Sequence, residues 1–584
     1  MNRQLSWKVG GQQGEGIEST GEIFSMALNR QGYYLYGYRH FSSRIKGGHT
    51  NNKIRVSTYQ TNSISDDLDI LVAFDQETID LNHHELVNGG VIIADSKFSP
   101  KLPDQSDARL FSIPFTEIAS ELGTTLMKNM VAVGASAGLL GLQSETFYSV
   151  VEQIFKKKGE SVVEKNMNAI RAGMEHFIHD VPDDLKDFTL EPGDGKNRMY
   201  MIGNDAIALG SLAGGARFMP AYPITPASEI MEYLIKKLPD YGGTVIQTED
   251  EMAACTMAIG ANYAGVRSLT ASAGPGLSLM MESIGLSGIT ETPLVIVDTQ
   301  RGGPSTGLPT KQEQSDLMAL IYGTHGEIPK VVMAPSSVEE AFYDAAEAFN
   351  IAEEYQVPVI LVTDLALSLG KQTVNPLDYS KIEIRRGKLV NEELPELNKG
   401  EYFKRYEVTQ DGVSPRPVPG TKNGIHHVTG VEHSEEGKPS ESTLNRQAQM
   451  DKRMRKLNGL PRRFPNPIVR YEEHEKADLL VIGVNSTRGS IQEMIPRLET
   501  EGLKVNHGQI RLLHPFPADE MEAMMKKAKN VVVIENNATG QIAQLLKLNT
   551  SAKDVKSILK YDGNPFLPSE LYNQCKELFA YGNV

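Results

Sequence analysis

Three α/β domains, with a long irregular connection before the last, are predicted from this sequence, and three observations carry the prediction. The chain has 584 residues, enough at roughly 150 residues per domain for about four domains, or for three and a long connection. Short continuous apolar runs alternate with helical stretches in three separate regions, the pattern of sheets covered by helices on both faces. Between the second and third regions, residues 370–467 are charged, carry scattered Gly and Pro and show little periodicity. That is too long for a simple loop inside a compact domain.

The first region opens with a strand over 5–9 and the cluster Gly10-Gly11-Gln12-Gln13-Gly14-Glu15-Gly16. A helix is expected from about Ile17 to Asn29, stopping at Gly32 as a C-cap. Further strands are expected at 70–74 and 91–94, in a parallel, covered sheet. Residues 181–197 are polar and rich in Asp, Pro and Gly, which marks a boundary. The second region, from Arg198 to about Leu369, has expected strands near 244–246, 266–270, 294–297 and 359–361. The third starts near Ala477, with strands at 479–484 and 531–534. The corresponding domain ranges are 1–190, 195–370, 371–470 for the connection, and 471–584.

Composition excludes several classes. With 74 acidic against 59 basic residues the formal net charge is −15, a poor match to a nucleic-acid or membrane-surface binder. Cys255 and Cys575 are the only cysteines. They exclude a disulfide scaffold, and this chain alone cannot supply the four thiolates of an iron–sulfur cluster. The first residues lack the apolar stretch of a signal peptide, and the longest nearly apolar run, 130–142, is too short to span a bilayer. The expectation is a cytoplasmic protein.

The glycine cluster near the N-terminus has the strand–loop–helix form of an anion site, but its spacing departs from the dinucleotide fingerprint. Gly14 and Gly16 fit and position 19 is Ser. A tight strand-to-helix turn and a ligand loop both remain open for Gly11 and Gly14. The group Arg44, Lys46, Gly47, Gly48, His49 and Asn51 is basic within an acidic protein. It suits a phosphate-bearing ligand such as coenzyme A, or a solvated loop.

Three loops between residues 218 and 316 are sharper. In Tyr222-Pro223-Ile224-Thr225-Pro226, Thr225 makes a good N-cap and Pro226 a good first helical residue, so the plain reading is a helix start. In Thr248-Glu249-Asp250-Glu251 three acids suit the positive end of a helix, and Glu251 heads a small-residue face on which a carboxyl becomes partly buried. In Asp298-Thr299-Gln300-Arg301-Gly302-Gly303-Pro304-Ser305-Thr306-Gly307-Leu308-Pro309-Thr310-Lys311, an Arg beyond the carboxyl end of a strand offers a planar fork for a carboxylate. The turn Ser272-Ala273-Gly274-Pro275-Gly276 lies between the last two.

Taken together, these loops resemble the α subunit of 2-oxoacid:ferredoxin oxidoreductases. The carriers are the Tyr-Pro-Ile-Thr-Pro stretch, the Glu249–Glu251 segment, Gly260-Ala261, Gly274-Pro275-Gly276 with Met280 and Glu282, and the 301–310 loop, in that order. The N-terminal region resembles the family's γ subunit, fused ahead of the α part. The last, with Pro515-Phe516-Pro517 and Glu535-Asn536-Asn537, resembles its transketolase C-terminal-like domain. The fused arrangement is most similar to the 2-oxoglutarate enzymes. One departure is Ala273, where the family carries a hydroxyl.

The resemblance implies a γ-type domain, a thiamine-diphosphate pyrimidine-binding domain and a transketolase C-terminal-like domain. It implies CoA-dependent oxidative decarboxylation of a 2-oxoacid, with 2-oxoglutarate giving succinyl-CoA and CO2, and ferredoxin reduction. Pyruvate or a branched-chain 2-oxoacid is the alternative substrate. Thiamine diphosphate would be shared with a β subunit that also holds Mg2+ and a [4Fe–4S] cluster and passes electrons to ferredoxin, in an αβ or (αβ)2 assembly. No metal is expected on this chain. Glu251, with Glu249 as second choice, corresponds to the carboxyl at the pyrimidine ring, beside Pro226, Gly274 and Gly276. Thr225 lies near the substrate, and Arg301 corresponds to the ligand of the substrate carboxylate, supported by Thr306 and Thr310. Gly11, Gly14, Arg44, Lys46 and Asn536 are candidates for CoA or an interface. Gly193-Asp194-Gly195 imitates the start of a pyrophosphate motif but follows no strand, and reads as linker. A non-catalytic scaffold chain, or a flavin- or NAD-dependent enzyme built on the first domain, are readings from other classes.

Overall fold

The computed structural model describes residues 2–42, 47–104, 106–178, 188–471 and 474–580. It separates into two compact units. Unit 1 comprises residues 1–201 with 369–376 and 567–570, and unit 2 comprises 202–368, 377–566 and 571–584.

Unit 1 is built on an eight-stranded sheet. Its order is Arg109–Ile113, Leu86–Asp95, Leu68–Ala73, Gln4–Gln12, His49–Ser57, Tyr34–His40, Lys371–Val374 and Met199–Ile202. The expected wholly parallel sheet is corrected to a mixed one. The strands from Gln4–Gln12 to Arg109–Ile113 run parallel, whereas His49–Ser57 lies antiparallel to both of its neighbours. Tyr34–His40 and His49–Ser57 form a polar-rich hairpin, whose basic and amide residues broke the apolar signal of a strand. The helix Ile17–Arg30 forms as expected, and Gly32 beyond it takes the left-handed conformation (φ 86°). In the core Trp7 stacks on Phe24, with ring centroids 4.4 Å apart, and its Nε1 donates to Ser136 Oγ at 3.0 Å. Helices Lys128–Leu139 and Glu160–Ile178 approach closely at glycines. A Cβ on Gly134 would stand 2.0 Å from the Ile170 carbonyl oxygen. The Gly193–Gly195 turn is held by structure: Asp194 pairs with Arg198 at 2.6 and 2.9 Å, and the Gly195 amide donates to the Gln31 carbonyl.

Unit 2 carries two five-stranded sheets and a small pair. The first has the order Leu269–Ser272, Leu294–Gln300, Pro358–Asp364, Val331–Met333 and Leu512–His514. Its first four strands are parallel, and the last, from the C-terminal region, is antiparallel. Phe218–Ala221 and Thr244–Gln247 form a short parallel pair. The second sheet runs Ile468–Arg470, Val505–Ile510, Ala477–Val484, Ala528–Glu535 and Lys556–Leu559.

The connection is ordered more than its composition suggested. Lys371–Val374 joins the sheet of unit 1, and Thr443–Arg455 is a helix capped by Ser442. The rest of 377–467 is largely irregular and is anchored by buried charges. Glu353 meets Arg267 at 2.8 Å, Arg416 at 3.0 Å and Arg386 at 2.6 Å, and Glu291 meets Lys452 at 2.7 Å and Lys456 at 2.6 Å. No helix among the described residues is long and apolar enough to cross a membrane.

Candidate functional site

The site is assembled in unit 2, beyond the carboxyl ends of parallel strands, where loops rather than regular structure project side chains. Thr225 does not cap the following helix. The helix it was expected to cap begins at Ser228, after Ala227, with no side-chain cap. The Thr225–Pro226 peptide is cis, and the Pro226 carbonyl accepts from Asn204 Nδ2 at 2.6 Å. The segment is therefore an ordered loop before the helix. Its Thr225 carbonyl oxygen accepts from Arg301 Nη1 at 2.5 Å.

Arg301 follows the buried strand Leu294–Gln300 and is itself buried. Nη2 donates to the Thr306 carbonyl at 3.3 Å, so the guanidinium ties its own loop to the Thr225 loop, while Nε meets no partner. The loop doubles back on itself, with Leu308 N donating to the Gly302 carbonyl at 2.8 Å and Gly302 N to the Lys311 carbonyl at 3.0 Å. Thr306 is exposed and enters through its backbone carbonyl, whereas Thr310 is buried.

The acidic segment divides its labour. Asp250 is the N-cap of the helix Glu251–Tyr263, accepting from the Ala253 amide at 2.7 Å. Glu249 is exposed. Glu251 is only 6 % exposed. The Glu251 carboxyl faces Gly276: a Cβ there would stand 2.7 Å from Glu251 Oε1 and 2.0 Å from Ser272 Oγ. Ser272 Oγ is buried and meets no partner. The turn keeps its form without the hydroxyl at 273, because Ala273 is extended and the helix Gly274–Ile289 starts directly after it.

Two acids of this region had no role assigned from sequence. Asp298 is fully buried on the strand Leu294–Gln300, in register with Ser272, and neither carboxyl oxygen has a hydrogen-bond partner. Asp316 lies against Gly274, where a Cβ would stand 2.6 Å from its Oδ1. The signal for Asp298 was present: an acid that closes an apolar strand run must be buried with it.

The remaining candidates lie elsewhere. Asn536 is buried inside unit 2, where it bonds Gln314 in both directions at 2.6 and 2.9 Å, which makes it an internal interface residue. In unit 1, Gly11 is a buried strand residue and Gly14 is exposed with φ 99°. Gly14 borders a cavity of about 430 Å3 whose lining includes Gly16, Arg39, Thr50, Asn51 and Asn52. Arg39 pairs there with Glu18. Arg44 and Lys46 lie outside the described residues.

Comparison with known proteins covers the whole chain. Residues 209–453 match the model of the pyruvate flavodoxin/ferredoxin oxidoreductase thiamine-diphosphate-binding domain. Residues 6–176 match pyruvate ferredoxin/flavodoxin oxidoreductase, and 477–571 match pyruvate:ferredoxin oxidoreductase core domain II. A 2-oxoacid:ferredoxin oxidoreductase subunit alpha from Sulfolobus sp is 34 % identical over 97 % of this chain and 96 % of its own. The 2-oxoglutarate oxidoreductase subunit KorA of Mycobacterium tuberculosis is 31 % identical over 97 % and 90 %. The structure of 2-oxoglutarate:ferredoxin oxidoreductase from Magnetococcus marinus, with 2-oxoglutarate, coenzyme A and succinyl-CoA bound, superimposes with a TM-score of 0.91. It is 36 % identical and covers 99 % of this chain and 100 % of its own.

Proposed function

The chain belongs to the 2-oxoacid:ferredoxin oxidoreductase family as an α subunit, and from that membership we propose that it works with a β subunit to decarboxylate 2-oxoglutarate oxidatively to succinyl-CoA. The observation that carries this reading is the Arg301–Thr225 contact at 2.5 Å. It brings two loops 76 residues apart to one point, with a guanidinium whose Nε meets no partner and can donate to a carboxylate.

The pyrimidine end of thiamine diphosphate fits the residues beside that point. Gly276 leaves bare backbone where any side chain would collide with Glu251, and Ser272 Oγ is a buried hydroxyl in want of a partner. Glu251, Ser272 and the Gly274–Gly276 turn would hold the ring edge. When bound, the cofactor supplies a heterocycle that stabilises the carbanion left by CO2 loss. Glu251 holds the proton exchanged with the ring nitrogen at its carboxyl oxygens. Its burial keeps water from competing for that bond. Arg301 binds the carboxylate common to 2-oxoacids and orients the keto carbon, and Thr225 closes that side. Mg2+, the [4Fe–4S] cluster and the ferredoxin contact fall to the β subunit in this reading. Coenzyme A is assigned to the unit 1 cavity beside Gly14. There the open N-terminus of the helix Ile17–Arg30 offers amides to phosphate, and no side chain caps it.

The test is ferredoxin or viologen reduction by this chain alone and co-purified with its β subunit. Thiamine diphosphate, Mg2+ and CoA are supplied anaerobically, with 2-oxoglutarate, pyruvate and 2-oxoisovalerate compared. Reduction only by the complex, and best with 2-oxoglutarate, is expected. An intact complex that reduces nothing with any 2-oxoacid overturns the reading, and a preference for pyruvate overturns its substrate.

A further inference from the structure

Asp298 and Asp316 are brought together through their neighbours: the Asp316 amide is bonded to Gln300, two residues along the strand from Asp298, and the Asp316 carboxyl lies against Gly274, two residues beyond the register partner of Asp298, Ser272. Asp298 lies within the buried strand Leu294–Gln300, fully enclosed, and neither of its oxygens meets a donor. Asp316 lies just before the helix Leu317–Tyr322. Its amide donates to Gln300 Oε1 at 3.1 Å, and one of its carboxyl oxygens is also buried without a partner. Two carboxylates in a dry site with no hydrogen-bonded cation cannot both ionise. The surroundings say which one keeps the charge. Asp316 sits against Gly274, the first residue of the 16-residue helix Gly274–Ile289, where the positive end of the helix favours an anion. Asp298 has no such neighbour and is the member that holds a proton.

We propose that Asp298 and Asp316 form a buried carboxyl pair sharing one proton, and that the charge left on Asp316 positions Arg301 for the substrate carboxylate. This rests on the assignment of Arg301 made above. Electrostatics agree with the geometry. Burial, then Asp316, raise the Asp298 carboxyl well above the ordinary range. Burial, then Glu313, push Asp316 up to about 6 against the opposing pull of Arg301. Burial lowers the Arg301 guanidinium below its ordinary range, and Asp316 opposes that shift. The charged groups bearing on the pair are thus Arg301 and Glu313, with Glu251 at the adjoining Ser272–Gly276 turn. Arg301 is fixed on one side by the Thr225 and Thr306 carbonyls. Asp316 supplies a charge that opposes it without hydrogen-bonding it, leaving Nε for a ligand. Both aspartates are positioning residues.

The experiment uses the complex assembled with the β subunit, with thermal unfolding as a check on each variant. Infrared spectra of protein labelled with 13C-aspartate read the proton directly. A protonated-carboxyl band is expected at neutral pH in the wild type, lost in Asp298→Asn and retained in Asp316→Asn. Kinetics read the positioning. In the wild type KM for 2-oxoglutarate rises as pH falls through about 6, because Asp316 takes up a proton and Arg301 loses its counter-charge. Asp316→Asn is expected to raise KM at neutral pH at least tenfold, with a smaller change in kcat, and to flatten that pH dependence. No protonated band in the wild type, or one that survives Asp298→Asn, overturns the shared proton. An unchanged KM and pH profile in Asp316→Asn overturns the positioning role. The infrared arm needs no turnover, and Arg301→Ala with unaltered KM would sink the substrate reading alone, so the two failures are distinguishable.

Discussion

Gly276→Ala isolates the closest packing in the site. The change adds one methyl group at the third residue of the helix Gly274–Ile289, where the backbone is helical and Ala is the better helix former by roughly 0.5–1 kcal/mol. The methyl would stand 2.0 Å from Ser272 Oγ and 2.7 Å from both Cγ and Oε1 of Glu251. Ordinary van der Waals contact begins at 3.4 Å. The Ser272 hydroxyl can swing away, but the Glu251 carboxyl must retreat by about 0.7 Å (3.4 less 2.7). Overpacking of this kind costs about 1–3 kcal/mol, partly offset by helix propensity, so the folded chain persists with a net loss of about 0–2.5 kcal/mol. Turnover is more sensitive, since a displacement near 1 Å of a reacting group lowers rate on the order of 10²-fold. The assay is 2-oxoacid-dependent viologen reduction by the assembled complex, with thermal unfolding in parallel. Gly285→Ala, in the same helix with nothing within 4 Å of its added Cβ, is the control and should keep activity. A Gly276→Ala enzyme with wild-type turnover would refute the argument that Glu251 must occupy that spot.

Three further outcomes follow from the same geometry. Arg301→Ala should lower kcat/KM for every 2-oxoacid by about 10- to 150-fold, the worth of a charged hydrogen bond; steady-state kinetics with three substrates check this, and loss on one alone would reassign the residue. Glu291→Gln strips the partner from Lys452 and Lys456, both fully buried, and should destabilise the docked connection by about 3–5 kcal/mol, read as faster hydrogen exchange within 377–467. His507 is buried and His514 partly buried, with pKa values lowered by desolvation to about 3 and about 4. Below pH 6.5 the unfolded chain takes up protons that the folded chain refuses. Stability therefore falls as pH drops from 6.5 toward 4, by about 1.4 kcal/mol per pH unit for each histidine. His507→Phe should lessen that slope in unfolding midpoints measured at pH 7 and pH 5.

How much of this was legible in sequence depends on the type of signal. Parallel strands such as Leu294–Gln300 and Ala477–Val484 are covered on both faces, so their apolar runs announced them. The hairpin of Tyr34–His40 and His49–Ser57 buries Lys53 and Arg55, and buried charge reads as surface in a sequence. Glu251 and Arg301 stand out in the sequence because each is a charged residue beside small ones, and the structure shows both buried. The expectation of Thr225 as a cap fails because Thr-Pro before a helical stretch looks the same whether the helix starts there or at Ser228. Asp298 and Asp316 carry no local signal of their relation, because it depends on the segment before the helix Leu317–Tyr322 folding back onto Gln300 of the strand that holds Asp298. Asn536, a candidate for CoA or an interface, sits buried inside unit 2 in a network with Gln312 and Gln314.

The connection shows the same limit most clearly, and its physics explains why it is ordered at all. Residues 377–467 have too few apolar side chains for a core of their own, so burial alone cannot fix their path. They carry cations instead: Arg386, Arg405, Arg416, Lys452 and Lys456 reach acids or carbonyls of the 202–368 part of unit 2, at Glu353 and Glu291. Those acids are fully enclosed, and a buried carboxylate without its partners is penalised by several kcal/mol. A slip of one residue along the connection would leave Glu291 or Glu353 unpaired, whereas a slip of an apolar strap over an apolar face would change little. Ionic anchoring is a weak source of net stability but a strong source of register. Register is what this segment needs: it runs past the helix Glu251–Tyr263, where Arg416 donates to the Asn262 carbonyl at 2.9 Å. The far end of the helix that begins at Glu251 is thereby held by a segment that the sequence marks only as charged.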